Sequence, residues 1–161
     1  MNKLTLNIPS RTLDNFLAPI NQLLRFLKEI DSSTEIDTIE FDYSACNFTS
    51  PFLIAGLISL GLKNEQKGNK NVWNFSNSYL SAIKFPLGLP YDGCSPQQIE
   101  QKFQPYHSKT YIPIICFPTG KTVAENSVRE NIINSIESIL IKQLNLKGQM
   151  LSAIPYLIAE A

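Results

Sequence analysis

The period of the hydrophobic positions changes several times along this chain, and each change marks an element. Leu4, Leu6 and Ile8 alternate with polar residues, the period of a half-buried strand. Pro9 and Ser10 break it. Leu13, Phe16, Leu17, Ile20, Leu23, Leu24, Leu27 and Ile30 then recur at helical spacing and make one apolar face. Pro19 falls inside this run, where it either kinks the helix or marks its first turn. Ile39, Phe41 and Tyr43 predict a second strand over 38–43. Ser50 followed by Pro51 has the chemistry of a helix start, a hydroxyl cap and a residue that gives up no needed N–H. That helix runs to about Gln66 and stops at Lys67, Gly68 and Asn69. A third strand over 71–75 and a short helix over 78–84 follow.

The pattern then fades. Residues 88–110 hold Pro90, Pro96 and Pro105 among polar residues and read as an irregular linker, with a helical turn around 97–103 as its one regular feature. Strand character returns over 111–117. A long helix is predicted from about Glu125 to Asn145, with Val128, Ile132, Ile136, Ile139, Leu140 and Leu144 inward. Gly148 suits a tight reversal, and a last helix is predicted from Gln149. The expected fold is therefore α/β. A small mixed sheet with packed helices fills residues 1–87, and a strand and helical hairpin fill 111–161. Strands 4–8, 39–43 and 72–75 should share one sheet.

Composition narrows the function. In 161 residues, Lys and Arg number 14 and Asp and Glu number 14, so the formal net charge is zero. Nucleic-acid binding needs clustered cations to displace phosphate counterions, and a membrane surface needs a basic patch; neither is expected. The start, Met1 to Leu6, is followed by no long apolar stretch, so the expectation is a soluble cytoplasmic chain without a membrane span. Cys46, Cys94 and Cys116 lie far apart and read as reduced, mostly buried thiols.

Few residues offer chemistry. Gly120, Lys121 and Thr122 look like the end of a phosphate loop, but Ile115 stands where the first glycine belongs and Pro118 lies inside the loop. His107 is the one histidine and lacks partners at metal-ligand spacing. Glu130 and Glu137 share one helical face near Arg129 and Lys142 and read as a solvated face. Two places stand out. The first is the turn Phe48, Thr49, Ser50, Pro51, where a phosphate would meet free N–H groups at the start of a helix; the simpler reading makes Ser50 a cap only. The second is the last helix, apolar up to Glu160 and Ala161, which reads as an element cut short.

The order strand, helix, strand, Ser-capped helix, strand, helix resembles the STAS domain of anti-sigma-factor antagonists. Residues 39–43, Ile-Glu-Phe-Asp-Tyr, look like that family's apolar-Asp-apolar strand. Phe48 to Leu53 looks like its phosphorylation turn, with Ser50 at the phosphorylatable position. Thr49, Pro51 and Phe52 depart from the usual Asp, hydroxyl residue and Gly. The tail over 122–161 is similar to the entry of a gyrase/histidine-kinase-type ATPase domain, with Glu160 at its conserved acid; the magnesium-binding Asn would fall beyond Ala161. The resemblance implies a regulatory module of a bacterial ATP-binding signalling protein of the partner-switching type. Ser50, Thr49 and Asn47 would form the contact surface, toward an anti-sigma-like kinase or a downstream regulator. ATP and magnesium are expected only if the chain continues past Ala161, and no cofactor otherwise. Two alternatives stand beside this. One is an enzyme with its site in 88–110, using His107, Tyr106 or Asp92. The other is a dimerisation module, a homodimer through the helices over 125–161.

Overall fold

The computed structural model describes residues 2–10, 17–33, 36–118 and 121–145. It divides the chain into two compact units, Met1–Ser81 and Ala82–Ala161.

The first unit is an α/β layer. Its elements are β1 (Lys3–Asn7), α1 (Ala18–Ser32), β2 (Thr38–Asp42), α2 (Pro51–Gln66), β3 (Lys70–Asn74) and α3 (Ser78–Ala82). The three strands form one sheet in the order β1-β2-β3, with Leu6, Phe41 and Trp73 in register across it. The sheet is parallel throughout, not mixed. The reason lies in the connections, because each link between strands contains a helix, which carries the chain back to the end it came from. Pro19 marks the first turn of α1 and does not kink it.

Alternation along the strands separates two faces. Leu6, Ile39 and Phe41 are buried on one, and Trp73 stacks on Phe41 with ring centroids 4.1 Å apart. The other face is polar except for Val72. Lys3 Nζ lies 3.0 Å from Glu40 Oε2, the Thr5 hydroxyl donates to the same oxygen, and Asn74 donates to Asp42. The Lys3 and Thr5 bonds hold the Glu40 carboxyl below its ordinary range. Helix α2 covers the apolar face. Gly61 lets it approach, since a Cβ there would sit 2.6 Å from Trp73 Cζ2. Asn71 shares that face and is satisfied by donating to the Gly61 carbonyl and to Glu65, while Asn64 bonds the Lys70 carbonyl and the Asn71 side chain. This amide network fastens the end of α2 to the start of β3. Helix α1 packs beside α2, with Leu23 against Gly56.

The second unit has its own core: Leu89, Tyr91, Ile99, Phe103, Tyr106, Ile132, Ile136 and Ile139. Five of these come from 88–110. That stretch is therefore half of a core and not a linker. It carries α4 (Pro96–Phe103) and a 3-10 turn, Gln104–Tyr106. Of the prolines that suggested irregularity, Pro96 and Pro105 begin helical turns, where their missing N–H costs nothing. Ser95 caps α4 in a complete capping box with Gln98. The segment 111–117 is not a strand. Pro113 has no N–H, and Ile114 alone bonds on both sides, donating to Ile83 and accepting from Leu89. Gly88 has φ +78°, and a Cβ on it would meet the Ile114 carbonyl oxygen at 2.8 Å, so this crossing needs glycine. Helix α5 (Val123–Leu144) ends at Asn145 in the left-handed conformation, with Leu144 exposed where the sequence pattern puts it inward. The predicted reversal at Gly148 and the last helix lie outside the described residues.

The α2–β3 approach gives a stability test. Gly61→Ala would gain about 1 kcal/mol of helix propensity. It would also press a methyl on a ring that Phe41 holds in place, and overpacking of this kind costs about 1–3 kcal/mol. Urea denaturation should show a net loss of stability. A variant as stable as the parent would mean that Trp73 yields and the approach is loose.

Candidate functional site

In open α/β sheets, ligands bind outside the carboxyl ends of the strands. Here that edge is built from three turns: Ile8 to Ser10 after β1, Tyr43 to Ser50 after β2, and Phe75 to Asn77 after β3. The central turn is tied on both sides. Ile8 donates to the Asp42 carbonyl and Tyr43 donates to the Asn74 carbonyl, each at 2.8 Å. Asp42 Oδ1 accepts the Ser44 N–H at 2.9 Å, a local turn that starts the exit from β2 and lowers the Asp42 pKa. The Asn47 N–H reaches the Ser10 hydroxyl at 3.2 Å. Asn77 does most of the fastening. Its Nδ2 donates to the Cys46 carbonyl at 2.7 Å and the Asn47 carbonyl at 3.1 Å, and its Oδ1 caps α3 by accepting the Leu80 N–H at 2.8 Å. The Phe48 ring packs on Tyr79 at 5.1 Å.

Ser50 ends the turn. Its backbone is extended (φ −68°, ψ 145°), and its Oγ accepts the Leu53 N–H at 3.2 Å, so it is the cap of α2. Accepting that bond leaves the hydroxyl hydrogen available. Ser50 is half-buried, while Asn47 and Phe52 on either side are exposed, Phe52 at 54 %. Thr49 departs from expectation. The sequence places it beside Ser50 on a contact surface, yet it is fully buried, and among the described residues its hydroxyl has no hydrogen-bond partner. It backs the turn from inside. Burial pushes the Cys46 thiol and the Tyr43 and Tyr79 hydroxyls up, so they stay neutral at pH 7. What the turn presents outward is amide and hydroxyl, groups that recognise a surface by hydrogen bonding.

No family model matches this chain, and neither does any curated protein or solved structure.

The other candidate residues separate. Glu160 and Gly120 lie outside the described residues. Thr122 caps α5 through the Glu125 N–H, and the Glu125 carboxylate accepts the Lys121 N–H at 2.7 Å. The helix's own acid thus occupies the place a phosphate would take. His107, Tyr106 and Asp92 are not brought together: Tyr106 is in the core, Asp92 is exposed, and His107 lines a cleft that the other two do not. Cys46 is buried, Cys94 half-buried and Cys116 exposed, and none forms a disulfide. Among the described residues no group of three His, Cys, Asp or Glu could hold a metal, and no helix is long and apolar enough to cross a membrane.

Asn77, the fastening residue, went unnoticed in the sequence. Its signal was an amide just before the short helix Ser78–Ala82, a cap position. Asn77→Ala removes two bonds to the turn and one cap, together worth about 2–3 kcal/mol. In a Cys94→Ser, Cys116→Ser background, Asn77→Ala should speed labelling of the Cys46 thiol by more than the loss of global stability explains. Equal labelling rates after that correction would show that Asn77 does not hold the turn.

Proposed function

We propose that the first unit is a regulatory protein–protein interaction module and that the β2–α2 turn is its contact point. The observation that carries this reading is Ser50: a capping hydroxyl at the carboxyl edge of a parallel sheet, between exposed Asn47 and exposed Phe52. Helix α2 continues the surface. Phe52, Ala55, Ser59 and Leu62 fall at helical spacing on its outward side, all exposed, with Phe52 and Leu62 the large apolar ones. An outward apolar stripe beside a switchable hydroxyl suits a reversible protein contact. The resemblance of residues 3–87 to STAS domains supports the same reading, with a partner-switching regulator as the wider setting. In it, the chain works in the cytoplasm against an anti-sigma-like kinase or a downstream regulator. Thr49 supports the turn and makes no contact; Asn47 and Ser50 do.

A phosphate on Ser50 would carry about −1.5 to −2 charges. At the start of α2 it would be welcomed by about 0.3–1 kcal/mol, so the fold would tolerate it. A partner seated on the neutral hydroxyl and Phe52 would instead have to desolvate that charge.

The cap geometry sets the test. Asp caps helices about as well as Ser, so Ser50→Asp should leave the melting temperature nearly unchanged. Ser50→Ala loses the Leu53 bond, about 1 kcal/mol, or roughly 4–8 °C in a unit of this size. Binding should run the other way. A partner recovered with the parent chain as bait should bind Ser50→Ala as well as the parent and Ser50→Asp about tenfold more weakly. Equal binding by all three forms would dismiss the switch. Unfolding by Ser50→Asp would reduce Ser50 to a structural cap.

A further inference from the structure

Within the second unit, α4 and α5 face one another across a cleft of about 300 Å³. From α5 come Asn131, Asn134, Ser135 and Ser138. Their spacing of three, one and three residues makes a single stripe along the helix. The neighbouring stripe, Ile132, Ile136 and Ile139, is core. A seam between two packed helices is ordinarily filled with apolar side chains. That holds here for Ile99 and Phe103 against Ile132, Ile136 and Ile139, and the polar stripe lines an open cleft beside them. Opposite it stand Gln97 and Glu100 of α4, with His107 beyond the 3-10 turn.

The charge of the cleft has a sign, set by Glu100. Asn131 gives one of its two Nδ2 hydrogens to the Ser127 carbonyl at 2.7 Å, which leaves one N–H and Oδ1. Ser135, 8 % exposed, spends its hydroxyl hydrogen on the Asn131 carbonyl at 2.8 Å, which leaves lone pairs. Glu100 is acceptor-only when ionised. Each of these three residues keeps an acceptor, that of Glu100 charged; Gln97, Asn134 and Ser138 add groups that both donate and accept, and no Lys or Arg lines the cleft. The start of α4 gives an anion little to bind. Pro96 has no N–H, and the Gln98 N–H is taken by the Ser95 hydroxyl.

We propose that this cleft binds a small organic cation, an alkylammonium or guanidinium compound, held by Glu100, Asn131 and Ser135. Such a ligand supplies N–H donors for the acceptors of Asn131 and Ser135 and one positive charge for the Glu100 carboxylate. The volume stands at the small end of ligand sites, enough for a diamine or a compound of amino-acid size.

The test is an NMR titration of the full chain with putrescine and agmatine, and with succinate and glycerol as the anionic and neutral counterparts. Either cation should give saturable shifts confined to residues 96–100, 107 and 131–138; succinate and glycerol should give none. Glu100 and Gln97 are exposed, so both tolerate substitution. Glu100→Gln should weaken binding about tenfold, and Gln97→Glu, which adds a second carboxylate, should strengthen it about threefold or more. The proposal is overturned if neither cation gives saturable shifts below about 10 mM, the weak end of specific binding, if succinate binds equally well, or if both variants leave the affinity unchanged.

Discussion

Strand β2 is the constraint on which the first unit depends. It alone among the described strands pairs on both sides, and Ile39, Phe41 and Tyr43 are each buried to within 1 %. Fully burying one such apolar side chain contributes about 1.5–3 kcal/mol, so this short segment anchors much of the unit. Parallel pairing on both sides also dictates the rest. It requires crossovers, which become α1 and α2, and it places Trp73 over Phe41, where Gly61 must then be small. The turn leaving β2 emerges between the turns leaving β1 and β3, so Ser10 and Asn77 can tie it from either side.

That arrangement divides labour inside the turn. Asp42, Asn77 and the buried Thr49 fix the backbone, and Ser50 starts α2. A contact residue on a fixed backbone loses little entropy when a partner arrives. In the proposed switch the helix dipole would supply the asymmetry, since negative charge at Ser50 would suit the helix and oppose a partner adapted to a hydroxyl. The second unit solves its packing differently. It buries Ile132, Ile136 and Ile139 against α4 and the 3-10 turn and leaves the adjacent polar stripe of α5 facing a cleft.

Much of this was legible in the sequence where local chemistry and tertiary packing agree. The three strands share a sheet as their alternation predicts, and Ser50 with Pro51 marks the start of α2 to the residue. Sheet direction was legible in the alternation of strands with helices rather than in the period of the strands, and the expectation of a mixed sheet missed it. The stretch 88–110 misled because its prolines suggest loops. Ile99, Phe103 and Tyr106 nonetheless fall at helical spacing, and Pro96 sits in a first turn. Segment 111–117 carried apolar residues enough for a strand but had Pro113 in the middle, and no ladder forms. Thr49 looked like a surface hydroxyl because burial of a polar residue leaves no local trace. Asn77 acts on Cys46 and Asn47, 31 and 30 residues away, a relation no local pattern encodes.

Site-specific photo-cross-linking from position 52 is the most direct measurement of whether the β2–α2 turn faces a partner. A photo-reactive phenylalanine analogue would replace Phe52, and a control would replace the exposed Lys67 at the far end of α2. A partner-facing turn gives one dominant adduct from position 52, none from position 67, and loss of the adduct when Ser50→Asp is added. Equal adducts from both positions, or an adduct from position 52 indifferent to Ser50→Asp, would contradict the assignment of this turn as the contact point.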